Sequence, residues 1–171
     1  MMLGKLPRLV AFAGVAGVGK DEAARCLLRL GYWRHNFGDI IKRQLDPLVR
    51  LHFNFSAFTE DRSQKEQIRR TLESWGEDNY DAILAEFLRH VPERVWVVNT
   101  RLVRVREAVA WKERGGVIVL IERYGQLAAT RWEEDRLEEL RQYSFDASVL
   151  NDGTPEDLHR KVLAVLMGLA K

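Results

Sequence analysis

The feature that most constrains this chain is a short apolar segment that leads directly into a glycine-rich turn and a helix-forming segment. Leu9–Ala13 has the length and composition of a buried strand. Gly14, Gly19 and Lys20 follow with the spacing G-x-x-x-x-G-K, typical of loops whose backbone N–H groups point at phosphate oxygens. A helix that begins near Lys20 would direct the positive end of its dipole to the same place. The segment therefore predicts a phosphate-binding loop in which Lys20 reaches the outer phosphates of a nucleoside triphosphate.

The residues predicted to bind this nucleotide form one continuous stretch. They are Gly14, Val15, Ala16, Gly17, Val18, Gly19, Lys20, Asp21 and Glu22. Residue 21 departs from the usual loop, because a Ser or Thr hydroxyl normally binds Mg²⁺ at this position. The alternative is a strand-to-helix turn that binds nothing, in which Asp21 only stabilises the helix through its dipole. The position of the motif between a strand and a helix favours phosphate binding.

Composition limits the classes of protein to which this chain can belong. A chain of 171 residues with 46% hydrophobic content has the length of one globular domain that buries about 70% of its unfolded surface. The net charge of +2 argues against nucleic-acid binding, although arginines make up 20 of the 27 basic residues and suit phosphate contacts. Cys26 is the only cysteine, so no internal disulfide is expected, and we predict it in the core. Since no apolar run approaches the ~20 residues of a membrane span, we expect a cytoplasmic protein without membrane contact.

Apolar runs alternate with amphipathic segments along the chain, which predicts parallel β-α-β units. The predicted strands span residues 9–13, 32–37, 94–99, 117–121 and 147–150. The predicted helices span residues 22–30, 40–51 with a kink or end at Pro47, 63–75 with a stop at Gly76, 80–90, 103–114 and 155–168. Because ligands of parallel sheets bind beyond the carboxyl ends of the strands, the site is expected in the segments that follow them. These segments are residues 14–22, 38–42, 99–101, 122–123 and 151–153.

Several short motifs occur in order along nearly the whole chain. They are G-x-x-x-x-G-K-D at residues 14–21, F-G-D-I-I-K at 37–42, R-R-T-L-E-S-W-G at 69–76, N-T-R at 99–101, E-A at 107–108, G-G at 115–116, N-D-G-T at 151–154 and D-L at 157–158. In this order they resemble the motifs of the bacteriophage-type deoxynucleoside monophosphate kinases of the P-loop superfamily. An Asp after the loop Lys is typical of that family, so the resemblance accounts for residue 21.

The resemblance implies an α/β, three-layer P-loop NTPase fold with a parallel five-stranded sheet flanked by helices. It implies a single kinase domain over residues 1–171, with an acceptor-binding helical region at about 38–92 and a lid at about 123–145. The implied activity is transfer of a phosphoryl group from ATP, with Mg²⁺, to a (deoxy)nucleoside monophosphate. The implied partners are small-molecule nucleotides and a second copy in a homodimer, and a phage-encoded protein would act in the host cytoplasm.

Phosphoryl transfer requires cations that converge on one point. The catalytic candidates are Lys20, Arg101, Arg123 and Arg131, of which the last two lie in the predicted lid. The acceptor-binding candidates are Phe37, Lys42, Arg69, Arg70, Trp75 and Arg101. The two aromatic residues could instead pack in a core, and the basic residues at 42, 69 and 70 could lie on solvated helix faces. Asn151 and Gly153 are expected beside the adenine of ATP, whereas Arg136 and Arg141 are interpreted as surface partners of glutamates.

Two positions depart from the family pattern. Glu22 stands where the family has Thr, and Asn99 stands where the family has the acid of D-V-R. Both changes remove groups expected near the metal ion. Asp21 is therefore the predicted metal-binding residue.

Three other functions are open from the residues alone. A related kinase, similar to dephospho-coenzyme A kinases, would phosphorylate a non-nucleotide acceptor. A nucleotide-binding regulator without kinase activity would fit the changes at Glu22 and Asn99, although no N-K-x-D guanine-reading motif occurs. Binding of DNA through the arginines would show a steep dependence on salt. The base and sugar of the acceptor are not defined by these residues.

Overall fold

Strands and helices alternate along the chain in the computed structural model, which describes residues 6–128, 130–143 and 145–170. The strands are β1 (Leu9–Ala13), β2 (Trp33–Arg34), β3 (Val97–Asn99), β4 (Val117–Glu122) and β5 (Ala147–Leu150). The helices are α1 (Lys20–Arg29), α2 (Phe37–Phe53), α3 (Arg62–Asp78), α4 (Tyr80–Arg89), α5 (Val105–Glu113), α6 (Arg131–Tyr143) and α7 (Pro155–Leu169). The predicted domain and lid include residues 1–5, 129, 144 and 171, which lie outside the described residues.

The five strands form one sheet in the order β2-β3-β1-β4-β5. Every pairing is parallel, and Val10 of β1 lies opposite Val98 of β3 and Val117 of β4. The central strand β1 is buried along its whole length, as a strand covered on both faces must be. Because the strands are parallel, the segments that follow β1, β3, β4 and β5 all leave the same edge of the sheet. The predicted five-stranded parallel sheet is confirmed.

The chain divides into two compact units. The sheet unit comprises the residues up to His35 together with those from Pro92 onward, and the helical unit comprises Asn36–Val91. The sheet unit contains all five strands with α1, α5, α6 and α7, and the helical unit contains α2, α3 and α4.

One core of the sheet unit lies between the sheet and helices α1 and α7. Phe12, Val119 and Ile121 of the sheet pack in the same cluster as Leu27 of α1 and Leu158 of α7. Cys26 belongs to this cluster and is 6% exposed, which confirms the predicted core position. Helix α7 begins with a capping box in which Thr154 accepts from the Asp157 amide and the Asp157 carboxylate accepts from the Thr154 amide.

The helical unit has its own apolar core. Leu45 and Val49 of α2 pack with Ile68 of α3 and with Ala57 from the connecting segment. Helix α4 contributes Phe87, whose ring centroid lies 6.0 Å from that of Phe37. These contacts join the three helices without any strand.

Two helices in this unit continue past residues at which the sequence predicted an interruption. A kink or an end was predicted at Pro47, and the end is wrong: helix α2 continues through Pro47 to Phe53, because Leu45 and Val49 on either side are buried and their packing outweighs the missing hydrogen bond. Helix α3 does not stop at Gly76. A Cβ at Gly76 would lie 2.8 Å from Cδ1 of Ile41, so this glycine allows α2 and α3 to approach closely rather than ending a helix.

Two predicted strands are shorter than expected. Only Trp33–Arg34 of the predicted 32–37 strand is extended in the sheet, and Phe37 already begins α2. The strand predicted from Arg94 begins at Val97. Strand β2 lies at the edge of the sheet beside β3, and the two strands pair at Trp33 with Val97 and at Arg34 with Val98. Within the described ranges, none of the helices is both long and apolar enough to cross a membrane.

Candidate phosphate-binding site

The glycine-rich loop after β1 is held in a conformation that requires glycine at both of its ends. Gly14 has a φ of 135°, and a Cβ there would overlap the Ile121 carbonyl oxygen. Gly19 has a φ of 103°, and a Cβ there would lie 2.6 Å from Nδ2 of Asn151. Both values of φ are strained for other residues. The loop therefore lies close to the end of β4 at Gly14 and close to the residue that follows β5 at Gly19.

Asn151 braces the loop from the end of β5. Its Nδ2 donates a hydrogen bond of 2.8 Å to the carbonyl oxygen of Val18, and its amide donates to Glu122 at the end of β4. Gly153 lies in the exposed turn before α7, where a Cβ would be 2.8 Å from the Asp157 carboxylate. The sequence predicted Asn151 beside the adenine, and the structure gives its side chain a contact with the loop backbone.

Lys20 lies across the loop. Its Nζ donates to the carbonyl oxygens of Gly14 at 2.6 Å and Val15 at 2.8 Å. Burial lowers the pKa of the Lys20 ammonium, the Glu133 carboxylate opposes this shift, and the Arg101 guanidinium adds to it. The ammonium of Lys20 therefore lies within the electrostatic influence of both charged groups. The predicted joint action of Lys20 and Arg101 on phosphate stays a prediction.

A carboxylate from α6 contacts the middle of the loop. Oε1 of Glu133 accepts a hydrogen bond of 2.6 Å from the Ala16 amide, and Nε2 of Gln126 donates to the Ala16 carbonyl oxygen at 3.0 Å. An amide of this loop would face a phosphate oxygen in a nucleotide complex. Sequence reasoning missed Glu133, because nothing distinguishes it from the other glutamates of this highly charged segment.

Asp21 is joined to the end of β3 by a second residue that the sequence analysis missed. Oγ1 of Thr100 donates a hydrogen bond of 2.9 Å to Oδ1 of Asp21, and Nη1 of Arg34 lies 3.7 Å from the same oxygen. Thr100 is only 1% exposed. Its position directly after a buried strand was the one signal of this role in the sequence.

Arg101 leaves the end of β3 on a segment held by buried polar groups. Oδ1 of Asn99 accepts from the Arg101 amide at 2.9 Å, and Oε2 of Glu107 accepts from the Val103 amide at 3.0 Å. Burial raises the pKa of the Glu107 carboxyl to about 7, against the lowering effect of the Val103 amide and of Arg104. The two hydrogen bonds fix the backbone on both sides of Arg101, whose own side chain is exposed.

Glu22 is engaged at the side of α1. Its carboxylate lies 2.6 Å from Nη1 of Arg25 and 3.0 Å from Nε2 of His159 on α7. These contacts tie α1 to α7 in the sheet unit. Its predicted contact with ATP stays a prediction.

The arginines of the predicted lid differ in their surroundings. Arg123 follows β4 and Arg131 begins α6, and both are exposed. Arg136 pairs with Glu139 at 2.9 Å, and Arg141 lies 3.5 Å from Glu122 and 3.9 Å from Glu138. These ion pairs agree with the interpretation of Arg136 and Arg141 as surface partners of glutamates.

The remaining acceptor candidates all belong to the helical unit. Phe37 is buried, with its ring centroid 5.4 Å from that of Tyr80. Trp75 is 39% exposed and donates from Nε1 to Gln44 at 2.9 Å. Lys42 lies 5.5 Å from the ring centroid of Phe58. Arg69 pairs with Glu66 at 2.9 Å, and Arg70 is exposed. Of the two aromatic residues, Phe37 takes the core position and Trp75 keeps an accessible surface.

The donors available to a metal ion are few but chemically suitable. No group of three or more His, Cys, Asp or Glu residues that could hold a metal occurs in the described part of the chain. Mg²⁺ in nucleotide sites is typically bound through one or two carboxylates together with waters and substrate phosphates. The Asp21 carboxylate and the Thr100 hydroxyl, joined at 2.9 Å, are hard oxygen donors of this kind. The residues therefore fit a nucleotide-bound Mg²⁺.

The comparisons with known proteins identify the fold. No family model matches the sequence, and no curated protein sequence matches it. Among solved structures, dephospho-CoA kinase from Campylobacter jejuni is 15% identical with a TM-score of 0.55, and the match covers 95% of this chain and 96% of the kinase chain. Shikimate kinase from Acinetobacter baumannii in complex with shikimate is 16% identical with a TM-score of 0.56, and the match covers 96% of this chain and 94% of the kinase chain.

At these identities the likeness shows the fold alone. The chain has the fold of P-loop kinases, over nearly its whole length, which confirms the predicted fold class. The bacteriophage-type family expected from the resemblance is not among the proteins matched above.

Proposed function

We propose that this protein is an ATP- and Mg²⁺-dependent kinase that transfers the γ-phosphoryl group to a (deoxy)nucleoside monophosphate. The observation that carries the proposal is the glycine-rich loop itself, in which Lys20 Nζ lies on the Gly14 and Val15 carbonyl oxygens and the Ala16 amide already holds a carboxylate oxygen. Such a loop would offer a polyanion a backbone donor and a cation. The P-loop kinase fold supports phosphoryl transfer as the reaction.

The loop would hold the donor. Its amides and Lys20 would bind the β- and γ-phosphates, for which Lys20 must exchange the Gly14 and Val15 carbonyls for phosphate oxygens. Bound Mg²⁺ would neutralise part of the charge on these phosphates, with Asp21 as a residue that holds it. The protein supplies little covalent chemistry to such a transfer, since positioning and charge neutralisation lower the barrier.

Arg101 is the proposed partner of the moving phosphoryl group and the acceptor phosphate. Its backbone is fixed by the Asn99 side chain, and an arginine fork suits two phosphate oxygens at once. Arg123 and Arg131 would add charge from the lid. For the acceptor we propose Lys42, Arg69, Arg70 and Trp75, and Phe37 through its packing, on the resemblance in sequence.

The test is a coupled ADP-release assay with ATP across all deoxynucleoside and ribonucleoside monophosphates. Dephospho-coenzyme A and shikimate serve as competing acceptors of other classes. We expect turnover with at least one monophosphate and its loss in a Lys20→Met variant. Lys112→Met is the matched control, because Lys112 pairs with Asp146 at 3.2 Å before β5, at the opposite edge of the sheet from the loop.

Each outcome of the assay bears on a different part of the proposal. Turnover only with dephospho-coenzyme A or shikimate would reject the nucleotide acceptor and keep a small-molecule kinase. ATP binding without turnover of any acceptor would reject the kinase and indicate a nucleotide-binding regulator. Absence of ATP binding would reject the phosphate-loop assignment itself.

A further inference from the structure

We infer that Thr100 and Asp21 together hold the cation of the phosphate site. Compared with the usual P-loop site, the hydroxyl and the carboxylate have exchanged places between the loop and the end of the strand. The inference rests on the proposed function, since the cation is the one that accompanies ATP. In P-loop nucleotide sites the loop supplies a Ser or Thr hydroxyl, and an Asp is supplied from elsewhere in the sheet. Here the loop supplies Asp21 and the end of β3 supplies Thr100.

The geometry joins the two exchanged groups directly. Oγ1 of Thr100 lies 2.9 Å from Oδ1 of Asp21, although the residues are 79 positions apart in sequence. Thr100 is almost fully buried, whereas the Asp21 side chain is 63% exposed. The buried hydroxyl therefore orients a carboxylate that keeps access to solvent and to a ligand.

The charge of the donor set supports the exchange. Asn99 removes a carboxylate from the end of β3, and its Oδ1 is engaged by the Arg101 amide at 2.9 Å. Asp21, which follows Lys20 in the sequence, places one negative charge beside Thr100 at the end of β3. The site thus retains one carboxylate and one hydroxyl, the complement that a Mg²⁺ bound mainly by phosphates and water needs.

Arg34 is a competing partner of the Asp21 carboxylate. Its Nη1 lies 3.7 Å from Oδ1 of Asp21, with both side chains more than half exposed. An exposed ion pair at this distance is weak, so a divalent cation can displace it. The hydrogen bond from Thr100 and this ion pair both involve Oδ1 of Asp21.

The experiment measures the affinity of the full chain for ATP by calorimetry, with MgCl₂ and with EDTA. In the unmodified protein, Mg²⁺ is expected to tighten ATP binding. Thr100→Val and Asp21→Asn are expected to lose about 10- to 100-fold of that enhancement, taken for each variant as the ratio of its own affinities with MgCl₂ and with EDTA. Thr100→Ser retains the hydroxyl and should retain the enhancement. Paramagnetic resonance of Mn²⁺ titrated with ADP gives a second readout that is independent of turnover.

The double variant Asp21→Thr with Thr100→Asp places the hydroxyl on the loop and the carboxylate at the end of β3, as in the usual site. It should recover the Mg²⁺-dependent increase in ATP affinity that the single variants lose. Thermal unfolding of each variant separates loss of fold from loss of metal response. The inference is overturned if Thr100→Val keeps the full enhancement, or if the unmodified protein binds ATP equally with and without Mg²⁺. The proposed function fails instead if the unmodified protein does not bind ATP under either condition.

Discussion

The carboxylate of Glu133, in the first turn of α6, accepts a hydrogen bond of 2.6 Å from the backbone amide of Ala16 in the glycine-rich loop. The Glu133 charge also raises the pKa of Lys20 against the effect of burial. Glu133, in the predicted lid, thus occupies a backbone donor that the proposed nucleotide phosphate would use. A phosphate bound there would have to displace this carboxylate.

Replacement of Glu133 by Gln should tighten ATP binding. The neutral amide competes less well for the Ala16 donor, because a hydrogen bond to a neutral acceptor contributes about 1 kcal/mol less than one to a carboxylate. The expected gain in affinity is about two- to tenfold, measured by calorimetry. Glu134→Gln, an exposed neighbour on the same helix, controls for the loss of one charge. Equal affinities in both variants would contradict competition at the loop.

Removal of Arg101 should impair transfer more than donor binding. Arg101→Ala loses charge-assisted contacts to phosphate worth about 1.5–3 kcal/mol, so kcat/KM for the acceptor should fall about 10- to 100-fold. ATP affinity should change little, because the loop amides and Lys20 remain. Arg114→Ala is the control, since Arg114 lies at the far end of α5. A loss of ATP affinity as large as the loss of turnover would place Arg101 on the donor instead.

Glu107 should make stability fall as pH rises. Burial raises the pKa of its carboxyl from 4.5 to about 7, so the folded chain holds this proton more tightly than the unfolded chain. This carboxyl therefore contributes about 3 kcal/mol to the free energy of unfolding. The contribution is fully present below pH 4.5 and is lost as pH rises through 7.

Urea unfolding of the unmodified protein and of Glu107→Gln at pH 4.5 and pH 8 measures this contribution. The variant cannot titrate at this position, so the difference in stability between the two proteins should change with pH. Glu113→Gln, exposed on the same helix, should run parallel to the unmodified protein. Parallel curves for Glu107→Gln as well would show that this carboxyl titrates normally in the fold.

Gly116 should tolerate no side chain. A Cβ there would lie 2.6 Å from Nε1 and 2.8 Å from the carbonyl oxygen of Trp111, which is fully buried. Gly116→Ala should lower the free energy of unfolding by about 1–3 kcal/mol, measured by urea denaturation. Gly168→Ala, with nothing within 4 Å of its Cβ, should instead stabilise α7 by up to about 1 kcal/mol. Similar stabilities for both variants would contradict close packing at Trp111.

The segment from Leu9 to Lys20 could be predicted from sequence because its signals are local. An apolar run followed by glycines at fixed spacing specifies a buried strand and a turn with positive φ, whatever packs around them. The predicted start of α7 at residue 155 is also a local signal, because the capping residues Thr154 and Asp157 are three residues apart. Helix α2 continues past Pro47 and helix α3 past Gly76, because packing of the two helices overrode local preference.

The amino-acid sequence by itself determined the strand, the glycine-rich loop, the alternation of strands and helices, and Lys20 as the cation of the loop. Only the tertiary structure decided what surrounds that loop. The hydrogen bonds from Thr100 to Asp21, from Ala16 to Glu133 and from Asn151 to Val18 join residues 79, 117 and 133 positions apart. Such pairs depend on the order of strands in the sheet, which no spacing along the chain encodes.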